Sequence, residues 1–370
     1  MLLCLDKKRQ PVFFQEAQFL ILNQMKTNLK HTLFQIVLLL LLSSLSAKGQ
    51  DIHFSQFFET PLLRNPSLAG IFKGDIRAQM VYRSQWNNIT DAYRTGSFNV
   101  EFKKPIGKGD DFFTIGGQVL FDRAGTIALT STHLLPVLNY QKSLSSERNM
   151  YLSLGFMGGL VQRKIDQSKI TTNSQYNGIG YDPNLGNGEN FSKTSYSYLD
   201  ASVGMSFNTQ VGENENNNIY AGLAYHHFNK SNKASFYGNI DLEMKPKWVG
   251  SLGIRMNVSE ESYFTVYGDY SKQDSYQEIV AGFLYSYRLG DPEDPRYVLH
   301  VGSMYRVKDA LIPVAKLDIG HMAVSFSYDV NTSQLRNASY GRGGFELALK
   351  YQNYNNKDNS TKDAVRCPKF

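Results

Sequence analysis

Seven histidines, two cysteines and scattered carboxylates are the raw material for metal or nucleophilic chemistry in this chain. Their spacing supports neither. His226 and His227 are adjacent, and neighbours on a strand point to opposite faces, so this pair is expected not to share a metal. His53, His133, His300 and His321 are scattered without metal-ligand spacing. No Gly-x-Ser-x-Gly elbow is present. Gly341-Arg342-Gly343-Gly344 lacks the Lys-Ser/Thr of a phosphate loop and reads as the start of a strand. The loop 182–190 offers oxygen donors for Ca²⁺ at Asp182, Asn184 and Glu189, but not at EF-hand spacing. Asn88-Ile89-Thr90 fits a glycosylation acceptor, a pattern frequent by chance. The expectation is a non-enzymatic protein without metal or cofactor.

The elements that carry these residues begin with an export signal. Met25 to Lys30 is a short basic stretch, Leu33 to Leu45 an apolar core, and Ala47-Lys48-Gly49 supplies small residues where a signal peptidase cuts. Residues 25–49 therefore read as a signal peptide and 1–24 as an over-extended start. The first 49 residues hold six basic residues (7, 8, 9, 26, 30, 48) and two acids (Asp6, Glu16). The rest then keeps 39 − 6 = 33 basic and 33 − 2 = 31 acidic residues, a net +2. Such a balance gives no concentrated basic footprint for nucleic acid. Cys4 lies in the leader, which leaves Cys367 alone and no internal disulfide. An exported chain without disulfides needs another source of stability, and a closed β-barrel in lipid provides one.

Hydrophobic residues are only 42% of the chain but aromatics reach 13%, as suits a barrel in which alternate residues face lipid. After residue 50 no apolar run is long enough for a membrane helix. Leu199, Ala201, Val203, Met205 and Phe207 alternate with Asp200, Ser202, Gly204, Ser206 and Asn208. The same period of two recurs in 322–331 and 345–352. About 14 antiparallel strands are expected within 75–353: 75–84, 92–104, 112–123, 127–142, 148–163, 194–207, 217–229, 242–257, 261–272, 275–288, 296–307, 310–317, 319–332 and 341–353. Pro136 and the division near 318 mark the least regular places. The longest connections, 164–193, 230–241 and 333–340, follow odd-numbered strands, and those after even-numbered strands are shorter. Outer-membrane barrels show this asymmetry, with long extracellular loops and short periplasmic turns. The fold class is thus an all-β transmembrane barrel in outer-membrane lipid, with an N-terminal segment 50–74 before it and a tail 354–370 after it.

The segment before the barrel reads Gln50-Asp51, Phe54-Ser55-Gln56, Pro61, then Asn65-Pro66-Ser67-Leu68-Ala69-Gly70. Tyr82-Arg83-Ser84-Gln85-Trp86 follows, and the chain ends Cys367-Pro368-Lys369-Phe370. Together these motifs resemble the PorP/SprF family from one end of the mature chain to the other. Ser67 stands where Ala is commoner and Lys369 where Arg is common. The resemblance implies a cell-outer-membrane component of a type IX secretion and gliding apparatus. One branch of that family contacts a periplasmic peptidoglycan-binding lipoprotein; the other supports export or anchoring of large surface adhesins. The candidate family-motif or partner-contact residues are Phe54, Ser55, Gln56, Pro61, Asn65, Pro66, Gly70, Tyr82, Arg83, Gln85, Trp86, Cys367, Pro368 and Phe370.

Read from the residues themselves, Asn65-Pro66 favours a turn and Gly70 a backbone bend. The mix of Phe54, Phe57, Phe58, Leu62, Leu63, Leu68 and Phe72 with few charges must pack on something. Two sites are open to it: the lumen, as a plug, or a periplasmic partner. Trp86 and Trp248 read as belt residues at the membrane interface. The Cys-Pro-Lys-Phe end reads as a periplasmic docking tail, with an ordinary unreactive cysteine as the plainer alternative. The rival function is an outer-membrane transporter of small hydrophobic molecules, a fatty-acid-transporter-like barrel with an N-terminal hatch. A hydrolase on the lipid-facing wall would need a Ser/His/acid constellation, which one sequence leaves open.

Overall fold

In the computed structural model the described residues are 51–353, apart from 87–92, 108–109, 213–216, 232–234, 238–242, 293 and 335. The leader, the Asn88-Ile89-Thr90 pattern and the Cys-Pro-Lys-Phe end lie outside them. Alternating sequence gives strands, and the structure has β1 (Ile76–Gln85), β2 (Tyr93–Ile106), β3 (Asp111–Ala124), β4 (Leu129–Ser145), β5 (Met150–Lys164), β6 (Ser195–Gln210), β7 (Asn218–His226), β8 (Lys247–Asn257), β9 (Ser262–Gln273), β10 (Tyr276–Leu289), β11 (Tyr297–Arg306), β12 (Ala310–Ile319), β13 (Met322–Asn331) and β14 (Arg342–Asn353). Each pairs antiparallel with its sequence neighbours, and β14 pairs with β1, closing a 14-strand barrel. Closure leaves no strand edge unpaired, which a chain in hydrocarbon requires. No described helix is long and apolar enough to cross a membrane.

Burial is inverted relative to a water-soluble protein. Along β13, Met322, Val324, Phe326 and Val330 are exposed, while Ala323, Ser325, Ser327, Asp329 and Asn331 between them are buried. Leu199 and Met205 on β6 and Leu347 and Tyr351 on β14 are likewise exposed, opposite buried Asp200, Ser202, Ser206 and Glu346. Apolar side chains facing out and polar ones facing in is the arrangement lipid selects.

All the expected strands are present, their ends moved by three residues or fewer except at the start of β8. β7 stops at His226 and β8 starts at Lys247, so the connection between them is 227–246 rather than 230–241. The β12–β13 turn falls at Gly320-His321, not 318. Pro136 lies within β4: it pairs with Gly117 on β3, while the ladder to β5 lapses between Leu134 and Val137. Pro313 behaves alike, opposite Ser303 on β11 but in a gap of the β13 ladder. A residue without an N–H is tolerated where one ladder can lapse. The long connections 165–194, 227–246 and 332–341 all follow odd-numbered strands and so gather at one end of the barrel. The opposite end carries turns such as 107–110, 146–149, 258–261 and 320–321.

The segment 51–74 lies inside the ring. Asp51 reaches Lys247, the first residue of β8, and His227, just past β7; both are at the long-loop end. At the other extreme the Asp75 N–H donates to the carbonyl of Asn353, the last residue of β14, at 2.9 Å. The chain therefore passes through the lumen from the long-loop end to the short-turn end before entering β1.

Candidate functional site

Short turns shape the luminal segment. Phe57–Glu59 and Pro66–Leu68 are 3-10 turns, and Pro61–Arg64 is a single α-helical turn. Pro61 and Pro66 open the last two of these, each at a position whose N–H has no helical partner. Asn65 caps the last turn, accepting from the Ser67 N–H at 2.9 Å and the Ser67 hydroxyl at 2.7 Å.

From Asp51 to Arg64 the segment is held by charges. Glu346 on β14 accepts from the Ser55 N–H at 2.6 Å and the Gln56 N–H at 2.7 Å. The Gln56 side chain donates to the Glu346 carbonyl at 3.1 Å and accepts from Ser325. The Ser55 hydroxyl donates to Asp329 at 2.9 Å and accepts from Arg306. Arg83 bridges Asp329 and Glu346 (3.1 and 3.3 Å) and donates to the His53 carbonyl at 2.6 Å. Lower down, Lys316 donates to Glu59 at 2.5 Å and Gln79 donates to the other Glu59 oxygen at 3.1 Å. Arg64 donates to Asp269 and Tyr220, and its guanidinium sits 4.8 Å from the Phe57 ring.

These surroundings set the charge states of the segment. Burial opposes ionisation of Glu59, but Lys316, with Lys350 behind it, outweighs this and lowers its pKa to about 2. Burial likewise works against the Asp51 carboxylate, yet Lys247 and His227 hold it well below the usual range. Burial lowers His53 to about 4, partly countered by Glu278, so at neutral pH its 3.8 Å approach to Glu278 is no ion pair. His227 is the reverse: burial would neutralise it, but hydrogen bonds to Asp200 and Asp51 raise it to about 9.

From Asn65 to Phe72 the segment is held by its backbone. Asn139 donates to the carbonyls of Ser67 and Ala69 at 2.9 and 2.5 Å, and Gln141 to that of Ala69 at 2.7 Å. Glu101 accepts from the Gly70 N–H at 2.8 Å and pairs with Arg77. Lys103 donates to the Phe72 carbonyl at 2.5 Å. The wall opposite is bare: a Cβ on Gly155 would lie 2.4 Å from the Ser67 nitrogen, and one on Gly204 would lie 1.8 Å from Asn65 Oδ1. Gly70 itself has φ +78°, and a Cβ there would meet Thr114 Oγ1 at 2.0 Å.

The motif residues thus divide. Phe54 is buried with Val81, Leu120 and Ala348. Ser55, Gln56, Pro61, Asn65, Pro66 and Gly70 are all buried within the lumen. Arg83 faces them, while Tyr82 points outward, 40% exposed and 6.3 Å from the Phe345 ring. Gln85 ends β1 opposite Tyr93 and Gly344. Trp86, at φ 56°, packs edge-on against Tyr93 at 5.1 Å. Trp248 faces out, 47% exposed and stacked on Tyr225 at 4.3 Å. Cys367, Pro368 and Phe370 lie outside the described residues.

One expectation is corrected. His226 and His227 do not point to opposite faces: His226 ends β7 on its inward face, and the left-handed φ of 57° at His227 brings the second ring inward too, 6.2 Å from the first. His226 contacts Ser202 and the Arg64 carbonyl, and His227 contacts Asp200. Among the described residues no group of three or more His, Cys, Asp or Glu is placed to hold a metal ion. The motifs did not point to the wall partners Glu346, Asp329, Arg306, Asp269, Lys316, Gly155 and Gly204. The available signal was a charge or glycine on the polar face of an alternating strand.

No curated protein sequence matches the chain. Among solved structures it is similar to the toluene transporter TbuX of Ralstonia pickettii, at 11% identity and TM-score 0.45 over 83% of this chain and 96% of that one. It is also similar to a Pseudomonas aeruginosa FadL homologue, at 10% identity and TM-score 0.45 over 80% and 94%. A third is the translocator domain of the autotransporter NalP from Neisseria meningitidis, at 10% and 0.41 over 76% and 89%. Residues 46–351 match the family model described as the type IX secretion system membrane protein PorP/SprF. With its closed barrel and apolar outer belt, the chain is an outer-membrane protein that belongs to the PorP/SprF family of type IX secretion membrane components.

Proposed function

We propose that this secretion-system barrel is a non-enzymatic adaptor, plugged by its own residues 51–74, rather than a conduit. On this reading it supports export or anchoring of large surface adhesins at its long-loop end. A periplasmic peptidoglycan-binding lipoprotein docks at its short-turn end, where β14 ends at Asn353, and residues 25–49 are the leader removed on export. The observation that carries the reading is the seating of the luminal segment on Glu346, Asp329, Lys316, Asp269 and the glycine wall. On the β8–β10 side a cavity of about 50 Å³, lined by residues such as His53, Phe57 and Lys247, separates segment from wall. That is space on the order of a water or two.

Quantitative proteomics of cell surface and medium, comparing a strain lacking the protein with its parent, tests this. The expected result is loss of one or a few large secreted proteins with uptake of small lipids unchanged. An intact exported proteome with impaired uptake of hydrophobic molecules overturns it in favour of a transporter. The plug is tested separately: a Phe58→Cys thiol, placed where the native ring stacks on Tyr267 at 5.4 Å, resists labelling in the intact barrel. Free labelling sinks the plug.

A further inference from the structure

Near the short-turn end, the inner wall of β8–β10 presents cationic donors that pair with no acid among the described residues. Arg255, Tyr263 and Arg288 all face the lumen. The Arg255 guanidinium carbon lies 3.9 Å from the centroid of the Tyr263 ring and that of Arg288 4.8 Å from the same centroid. Arg288 is 8% exposed and fixed, donating to Asn257 Oδ1 at 3.0 Å and to the Glu260 carbonyl. Arg255 forms no ion pair with the described residues, and its Nε is buried without an acceptor. Directly across the ladder Asn218, 2% exposed, also has a buried amide nitrogen without an acceptor. Two described acids at this end are engaged elsewhere: Glu261 accepts from Tyr287, and Asp318 pairs with Lys316 and His300.

We propose that this cluster is a binding site for a carboxylate carried by a partner polypeptide that enters the barrel from its short-turn end. Two guanidinium groups against one ring repel each other, and an anion bound beside them offsets that cost. A planar carboxylate takes paired N–H donors from arginine in the same plane, and the flanking ring orients that plane. The Asn218 amide adds a third donor. Lipid headgroups lie on the other side of the wall; a free phosphate shares the chemistry and is separated by the test. This inference deepens the adaptor reading by naming the chemistry at the docking end. A binding measurement on purified protein does not depend on export, so the two fail separately.

The probe is fluorescent hexaglutamate, titrated by anisotropy into the full-length protein in detergent micelles, with hexaglutamine as the neutral control. Hexaglutamate binds and hexaglutamine does not. Arg255→Gln weakens binding roughly tenfold, the loss of about one charge-assisted hydrogen bond. Arg296→Gln, an exposed arginine at the same end, leaves it unchanged. Beyond its contact with the Tyr263 ring, Arg255 makes no ion pair with the described residues, so its variant is expected to fold, as heat-modifiable migration on a gel verifies. Equal binding by Arg255→Gln and the parent overturns the site. Inorganic phosphate binding as tightly as hexaglutamate, with the same dependence on Arg255, overturns the polypeptide assignment and leaves a phosphate site.

Discussion

The two halves of the luminal segment are held by different physics. Residues 51–64 meet the wall through ion pairs and charged hydrogen bonds, with Asp51, Glu59 and Arg64 each opposite an unlike charge. Residues 65–72 meet it through backbone carbonyls, amides and a strip of wall without side chains. Buried pairs add little net stability against a hydrophobic alternative but are costly to break, because one charge is left without a partner. A glycine surface adds nothing by itself; it admits one shape and excludes others. The first half carries its own titratable side chains and is therefore sensitive to protons; the second offers mainly backbone to Glu101, Lys103 and the glycine wall, and is sensitive to volume.

The largest effect is expected where one carboxylate serves most partners. Glu346→Ala leaves the Ser55 and Gln56 N–H groups and part of Arg83 without an acceptor. We expect a loss of about 3–5 kcal/mol in denaturant unfolding of the micelle-bound protein, together with exposure of the Phe58→Cys thiol. Unchanged labelling in this variant would mean that the charged half is not the anchor.

Acid separates the halves next. Glu59 has a folded pKa of about 2 against an ordinary 4.5. Its stabilisation is complete above the ordinary value and disappears as pH falls through the folded one. His53, lowered to about 4 from 6.5, is neutral in the folded chain while the unfolded chain takes up a proton, so stability also declines as pH falls from about 6.5 towards 4. Amide hydrogen exchange, corrected for intrinsic rate, should rise in 51–64 before 65–72 on acidification. Simultaneous opening of both halves would erase the distinction.

The barrel was legible in the sequence because its signal is local. Alternation such as Met322 to Asn331 needs only the knowledge that one face meets lipid, and each strand pairs with its neighbour in the chain. Pro136 was harder to place because its effect depends on which of two ladders lapses. The luminal segment was not legible. Its choice between lumen and partner is decided by contacts such as Ser55 with Glu346, 291 residues apart, and nothing in its own composition names that acceptor. His227 was misread for a smaller reason: a single left-handed residue at a strand end cancels the alternation on which the reading relied. The glycines at 155 and 204 looked like ordinary small residues on a polar face. Only the approach of Asn65-Pro66-Ser67 shows why a side chain is excluded there.

The volume-sensitive half gives the smallest and most specific prediction. Gly204→Ala places a methyl where Asn65 Oδ1 now lies, 1.8 Å from the ideal Cβ, so either the turn or the strand must move, at a cost of about 1–3 kcal/mol. Gly250→Ala, whose Cβ would meet nothing within 4 Å, should be close to neutral. Asn65→Ala alone loses the cap on Ser67 and the 3.2 Å bond to the Met205 carbonyl, about 1 kcal/mol. In the double variant the atom responsible for the clash is gone, so the combined loss should be smaller than the sum of the two single losses. Additive losses in this double-mutant cycle would show that Gly204 is needed by the strand itself, and the shape-selective account of the lower half would fail.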